Sequence, residues 1–358
     1  MARTHVIFPY DGHPPVRSGD HEDTERAALA RLAELVPDLQ EAEGEDYETF
    51  WETALMALAA ASLGPVTVMS HSKVAPEDTR VILGRVPNGK HAGMNDRWWE
   101  YYTGQPPLWP DAHQAAMADT YFLLDTFRDL AGRRMALAGF PSDDGGYDRW
   151  VSGIQVPTTN LFTAVRGMLS EGVRKMYLKV TIPKYMGMSL TFPPGADDRT
   201  IRGILAEALD YTPVHLEGYG DAVLLQEHVE MRKEYRCVVV DGQVVSGAGR
   251  VPQFTPFDRL ADGAWDARVV DVAGSSDVIE LSTEELAAYQ YLAGQATERF
   301  AKEHGLVHYV LDLAMVGDDP VIVELNPTMN FGLYANDPER IVKAISEWVG
   351  GGSSRLRP

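Results

Sequence analysis

Two acidic side chains and an amide lie close together near the C-terminal end of the chain: Asp312, Glu324 and Asn326, within VHYVLDLAMVGDDPVIVELN at 307–326. This stretch reads as two β-runs around Gly317-Asp318-Asp319, a three-residue hairpin loop containing glycine. Taken literally, the loop pairs Val316 with Pro320, Met315 with Val321 and, further down, Asp312 with Glu324. Side chains alternate along a strand, so Asp312, Glu324 and Asn326 share a face. Carboxylates directly opposite one another repel, and the expected neighbours Val310, Ala314 and Ile322 cannot neutralise them. A hard divalent cation can. Oxygen-only donors suit magnesium, which binds through one or two carboxylates and completes its shell with nucleotide phosphates. The alternative is a solvent-exposed face on which the charges repel in water.

Three further groups carry candidate chemistry. Lys179 sits inside the apolar run Met176-Tyr177-Leu178-Lys179-Val180, where an ammonium is costly unless it meets an anion. The segment after it holds Lys184, Gly187 and Ser189. A second apolar run, Leu224-Leu225-Gln226-Glu227-His228-Val229, precedes Lys233-Glu234-Tyr235-Arg236. Glu234 and Arg236 are two apart and therefore face the same side of a strand; a surface ion pair is the alternative. Arg250 ends the small-residue run Ser246-Gly247-Ala248-Gly249, which lets backbone approach a ligand; a structural salt bridge is its alternative. A guanidinium suits spread-out phosphoryl charge.

These elements, in this order and followed by Asn326-Pro327-Thr328, resemble the ATP-grasp enzymes, in which an Asp on one strand precedes Glu-x-Asn-Pro on the next. The resemblance covers 112–349 and is clearest after Met176. It implies an α/β (α+β) architecture in which two α+β subdomains grip the nucleotide, preceded by an N-terminal α/β lobe. It also implies ATP and magnesium as cofactors, with two ions held by Asp312, Glu324 and Asn326. By the same likeness Lys179 contacts the α and β phosphates, and Lys184, Gly187 and Ser189 belong to a loop closing over the nucleotide. Gln226, Glu227 and the backbone of Val229 lie at the adenine, Glu234 at the ribose, and Arg236 and Arg250 at the reacting phosphoryl group. The second phosphate-binding lysine that many members carry upstream has no counterpart here, and Arg133 and Arg134 are poor substitutes.

The implied activity is a ligase that activates a carboxylate as an acyl-phosphate and joins it to an amine, an amino acid or peptide, with ADP and phosphate as products. A kinase or nucleotidyl transferase on the same fold, and a regulatory nucleotide binder without turnover, are the rival readings. The expected partners are small-molecule carboxylates and amines, with homodimerisation left open. No G-x-S-x-G, H-E-x-x-H or strand-borne G-x-G-x-x-G points to another chemistry.

The elements that must position these residues follow from periodicity. A strand at His5–Pro9 and helices at 24–36 and 46–63, with strands near 66–70 and 80–83, read as an α/β lobe. Trp98 to Tyr102 read as aromatic anchors, 112–132 as one long amphipathic helix and Ser142–Gly146 as a linker. Threonines after Pro157 are placed to cap a helix over 160–171. Asp241-Gly242 signals a hairpin, Ser282 with Glu285 a capping box for a helix to His304, and Asp337-Pro338 a final helix. The expected division is 1–111, 112–220, 221–349 and a tail at 350–358.

Composition bounds the rest. With 358 residues, 45% of them hydrophobic, the chain can bury a sizeable core. A net charge of −20 repels polyanions and argues against nucleic acid and anionic membrane as partners. The start of the chain lacks the apolar core of a signal peptide, no run approaches a membrane span, and the single Cys237 excludes an internal disulfide. The expected compartment is the cytoplasm.

Overall fold

The computed structural model describes residues 4–10, 12–19, 21–42, 47–64, 66–70, 75, 79–83, 109, 112–139, 148–151, 154–157, 159–180, 187–210, 222–250, 263–272, 275, 277–328 and 332–351. Lys184, the Trp98–Tyr102 segment and the Ser142–Gly146 linker lie outside the described residues. Two compact units emerge, one from described residues within 1–118 and 231–358, the other from those within 119–230.

The larger unit opens on β1 (Thr4–Phe8), the short β2 (Gly12–His13), α1 (Glu22–Leu35), the short β3 (Gln40–Glu41) and α2 (Tyr47–Leu63). Then come β4 (Thr67–Ser70), β5 (Thr79–Ile82) and α3 (Ala112–Asp119). Strand β1 lies parallel between β4 and β5. Helix α2 is apolar on nearly every side, the pattern of a helix buried all round, and Phe50, Trp51, Ala54, Met56 and Ala57 are inaccessible.

The single long helix expected over 112–132 is not formed. Instead α3 stops, a single 3-10 turn spans Tyr121–Leu123, and α4 (Asp125–Leu130) starts after an extended Leu124. The break lets the adjacent Tyr121 and Phe122 both turn inward, Tyr121 packing edge-on against Phe122 at 5.4 Å and Phe127 at 4.5 Å. Five strands follow in the smaller unit's main sheet: β6 (Met135–Gly139), β9 (Thr159–Asn160), β10 (Lys175–Val180), β11 (Gly187–Thr191) and β12 (Ala222–Glu227), in the order β11-β10-β12-β6-β9. Strands β7 (Asp148–Val151) and β8 (Ile154–Pro157) form a separate ribbon. Helices α5 (Leu161–Ser170) and α6 (Asp198–Asp210) share one apolar cluster with Met176, Leu178, Val223 and Leu225 of the sheet. The cap of α5 is Asn160, accepting from the Phe162 amide at 2.9 Å, rather than a threonine.

The larger unit resumes with β13 (Arg232–Val240), β14 (Gln243–Gly249), β15 (Arg268–Val270), β16 (Val278–Glu280), α7 (Thr283–His304), β17 (Tyr309–Val316), β18 (Asp319–Asn326) and α8 (Pro338–Gly351). An antiparallel sheet runs β14-β13-β17-β18. Asp241 and Gly242 both take positive φ, as the tight β13–β14 turn demands. The Ser282–Glu285 capping box opens α7 and Gly305 closes it in the left-handed conformation; a cap of this kind contributes about 1 kcal/mol. One face of the sheet carries Val238, Val240 and Val310 into the same apolar cluster as Phe8, Phe50, Ala57 and Ile341. The N-terminal α/β elements and the C-terminal sheet thus share one core. Among the described residues no helix is long and apolar enough to cross a membrane.

Candidate functional site

The acidic pair is built by a turn and a bulge acting together. The β17–β18 hairpin closes with Val316 opposite Asp319, so the loop has two residues, Gly317 and Asp318, rather than the three expected. Met315 then pairs with Pro320, Ala314 with Val321 and Leu313 with Ile322. Continued unchanged, this register would set Val323 against Asp312 and turn Glu324 to the opposite face. The register shifts at that point, leaving Val323 without a counterpart, and Asp312 meets Glu324. Val310 pairs with Asn326. Asp312, Glu324 and Asn326 therefore share a face as the sequence implies, but Ile322, expected beside them, pairs with Leu313 and faces the other way.

Arg236 on β13 lies directly across from Asp312. Its Nε donates to Oδ1 and its Nη2 to Oδ2, both at 2.7 Å, in a two-pronged pair that is almost wholly buried. A bound cation is thus not the sole means of neutralising this face, because a guanidinium one strand away balances Asp312. Nη1 of Arg236 donates to the Gly332 carbonyl at 2.9 Å, and the guanidinium lies 4.1 Å from the centre of the Tyr334 ring. A guanidinium has five N–H donors. Three are used here, which leaves one further N–H on each of Nη1 and Nη2. Tyr334 holds a positive φ of 52°, uncommon for a side chain of that size. Burial pushes its hydroxyl pKa up, against the lowering effect of Arg236.

Asn326 Nδ2 lies 3.0 Å from Asp312 Oδ2 and 3.3 Å from Glu324 Oε1. Turning the amide over would present its oxygen to a cation between the carboxylates. Among the described residues no group of three or more His, Cys, Asp or Glu could hold a metal. Two carboxylates and an amide oxygen fit magnesium, which relies on phosphates and water for the rest of its shell, and do not fit an ion requiring a full protein cage.

Glu234 and Arg250 complete this face. The Arg250 amide donates to the Glu234 carbonyl at 2.9 Å, and its Nη1 to the Glu234 carboxylate at 3.3 Å. Burial, and then the charge of Asp312, push the Glu234 pKa above the ordinary carboxylate value, while Arg250 and Arg236 oppose the rise. The fold accordingly brings six of the singled-out residues, Glu234, Arg236, Arg250, Asp312, Glu324 and Asn326, onto one side of one sheet. Cys237 alternates to the other side, fully buried, and burial holds its thiol far above its normal pKa.

The smaller unit gathers a second set. Lys179 pairs with Leu224 on one side and Gly187 on the other, while Tyr177 pairs with Gln226 and Ser189. Lys179, Ser189 and Gln226 thus lie on the face opposite the helix-packed one. Lys179 Nζ is 3.3 Å from the Tyr121 hydroxyl, and Gln226 Oε1 accepts from Arg133 Nε at 2.8 Å. A cavity of about 320 Å3, lined by Phe122, Met135, Leu137 and Leu224 among others, adjoins this face. Glu227 is not brought in: it pairs with Met176 of the helix-packed face, and Arg134 Nη1 holds its carboxylate at 3.2 Å. Val229 is half-buried just beyond β12. Tyr121, Arg133 and Tyr334 were missed as partners; the only hint was the lone lysine in an apolar strand, which had to meet something polar.

Residues 191–344 match the model of an ATP-grasp domain family. The fold is ATP-grasp. The matched span contains Gln226, Glu227, Val229, Glu234, Arg236, Arg250, Asp312, Glu324 and Asn326, and begins after Lys179, Lys184 and Ser189. No curated protein sequence matches the chain. Solved structures similar to this chain include D-cycloserine synthetase DcsG, 15% identical over 83% of this chain and 94% of that one, with a TM-score of 0.49. D-alanyl-alanine synthetase A from Vibrio cholerae O1 biovar eltor is 9% identical over 97% and 98%, with a TM-score of 0.48. The ATP-grasp ligase PsnB complexed with a minimal precursor is 15% identical over 97% and 99%, with a TM-score of 0.45.

Proposed function

We propose that this chain is an ATP- and magnesium-dependent ligase that activates a carboxylate as an acyl-phosphate and joins it to an amine, releasing ADP and phosphate. The observation that carries the reading is the buried Asp312 opposite Glu324 with Asn326 beside them and two arginines on the same face. Asp312, Glu324 and Asn326 would hold magnesium, which when bound offsets phosphate charge and polarises the γ-phosphoryl group.

Arg250 and the remaining N–H groups of Arg236 suit the charge that grows on the transferred phosphoryl oxygens. Lys179, in a strand otherwise apolar around it, suits the α and β phosphates, and the adjoining apolar cavity suits a purine. Glu234 and Gln226 are candidates for the ribose and base edges, with the Val229 backbone, Lys184 and Ser189 completing the proposed contacts. The substrate carboxylate attacks the γ phosphorus and ADP leaves. The amine then adds to the acyl carbon, loses a proton, and phosphate departs. No side-chain nucleophile is required, which agrees with an inert, buried Cys237. The acidic surface favours small carboxylates and amines over nucleic acid as substrates, and a lone buried thiol fits the cytoplasm.

The test is a phosphate-release assay with ATP, magnesium and pooled amino acids, comparing the natural chain with Glu324→Gln. Substrate-dependent ADP and phosphate, lost in the variant, support the ligase. AMP and pyrophosphate would indicate adenylation instead, and absence of nucleotide binding would sink the reading.

A further inference from the structure

Glu52 is an anomaly within α2. It lies between Trp51 and Thr53 in the most apolar helix described, and is 2% exposed. A carboxylate in such surroundings costs several kcal/mol unless it is used, on the order of the burial penalty for a charged group. One use is visible: Oε1 accepts the backbone amide of Leu333. That amide belongs to the turn whose preceding carbonyl, on Gly332, receives Arg236 Nη1. The same turn presents the Tyr334 ring to the guanidinium. A side chain on Gly332 would have its first carbon 3.1 Å from Glu52 Oε1 and 3.5 Å from Arg236 Nη1. The carboxylate, the glycine and the arginine therefore converge on one point, where an added side chain would press on Glu52 and touch Arg236. The other end of the turn is also fixed, by Asn336 to the Arg236 carbonyl and by the Asp337 amide to Ser246 Oγ.

We propose that Glu52 is a positioning residue: by gripping the Leu333 amide it sets the Gly332 carbonyl and the Tyr334 ring, and through them orients the Arg236 guanidinium and its two remaining N–H groups. This rests on the reading that Arg236 meets the terminal phosphoryl group. Glu52 lies outside the span matched by the family model, and its role comes from the N-terminal elements rather than from the sheet that bears the site.

The test measures the affinities of the full chain, with magnesium, for the ATP analogue AMPPNP and for ADP by titration calorimetry. The natural chain should prefer AMPPNP. Glu52→Leu should erase that preference by about tenfold, the scale of one charge-assisted hydrogen bond, while ADP affinity holds. Glu52→Gln keeps an oxygen acceptor for Leu333 and should retain most of the preference. A merely structural role would lower thermal stability and both affinities together. Should Glu52→Leu not fold, Gly332→Ala crowds the same point from the loop side and should show the same selective loss. A folded Glu52→Leu or Gly332→Ala with the preference intact overturns the proposal, as does a Glu52→Gln as impaired as the leucine variant. If the natural chain binds neither nucleotide, the nucleotide reading itself fails and the assignment falls with it, a result distinguishable because no variant is involved.

Discussion

Arg236 and Asp312, on adjacent strands, form a two-pronged ion pair at 2.7 Å with almost no access to solvent. Such a pair is more damaging to break than valuable to have, because removing one partner strands the other charge in the interior. Asp312→Asn should therefore destabilise the larger unit by about 3–5 kcal/mol. Urea unfolding reports the change, and a loss below about 1 kcal/mol would mean that the pair is hydrated in solution.

Glu324 sits opposite Asp312 but is only half-buried. Its substitution by Gln should change stability by no more than about 0.5 kcal/mol, as for a surface site. Nucleotide affinity measured with magnesium should fall, while affinity measured in EDTA should stay as it was. Equal losses with and without the ion would remove Glu324 from the metal set.

Glu234 offers a test through pH. Its pKa is raised in the folded chain, so folding favours the protonated form: its contribution to stability is fully present below the unfolded pKa and is lost as pH rises through the folded one. At neutral pH the ionised carboxylate is thus a net burden. Glu234→Gln should raise the melting temperature at pH 7, and the gain should shrink as pH is lowered through the carboxylate range. A gain that is constant with pH, or a loss at pH 7, would contradict the burial that causes the shift.

Cys237 is fully buried and its thiol pKa is driven up. In the native chain Ellman's reagent should not react with it at neutral pH, and one thiol should appear on denaturation. Rapid reaction without denaturant would show that the sheet opens far more readily than its packing implies.

Much of the site was legible because strand periodicity is a strong signal. The pairs Glu234 with Arg236 and Asp312 with Glu324 depend on alternation and on short hairpins, both written locally in the chain. Even so, Asp312 met Glu324 for a reason the sequence hid: a shorter turn and a bulge at Val323 each displace the register by one residue, and the two errors cancel. The helix break after Asp119 was hidden too, since Tyr121 and Phe122 fit a helical pattern until their inward packing decides otherwise. Arg236 as the partner of Asp312 needed the strand order β13-β17, which is long-range information. Glu52 was beyond reach, since nothing near Trp51 reveals that the other end of its hydrogen bond is Leu333.

The apolar cluster that joins Phe50 and Ala57 to Val238, Val240 and Val310 bears on how this protein can be dismantled. Its N-terminal lobe is not a detachable module. A fragment containing only 231–351 would expose a wall of valines to water and lose the carboxylate that grips the turn at Leu333, so grafting a foreign lobe onto this sheet would require redesigning both surfaces together. Exchange of the lobe by recombination should therefore fail at its boundary.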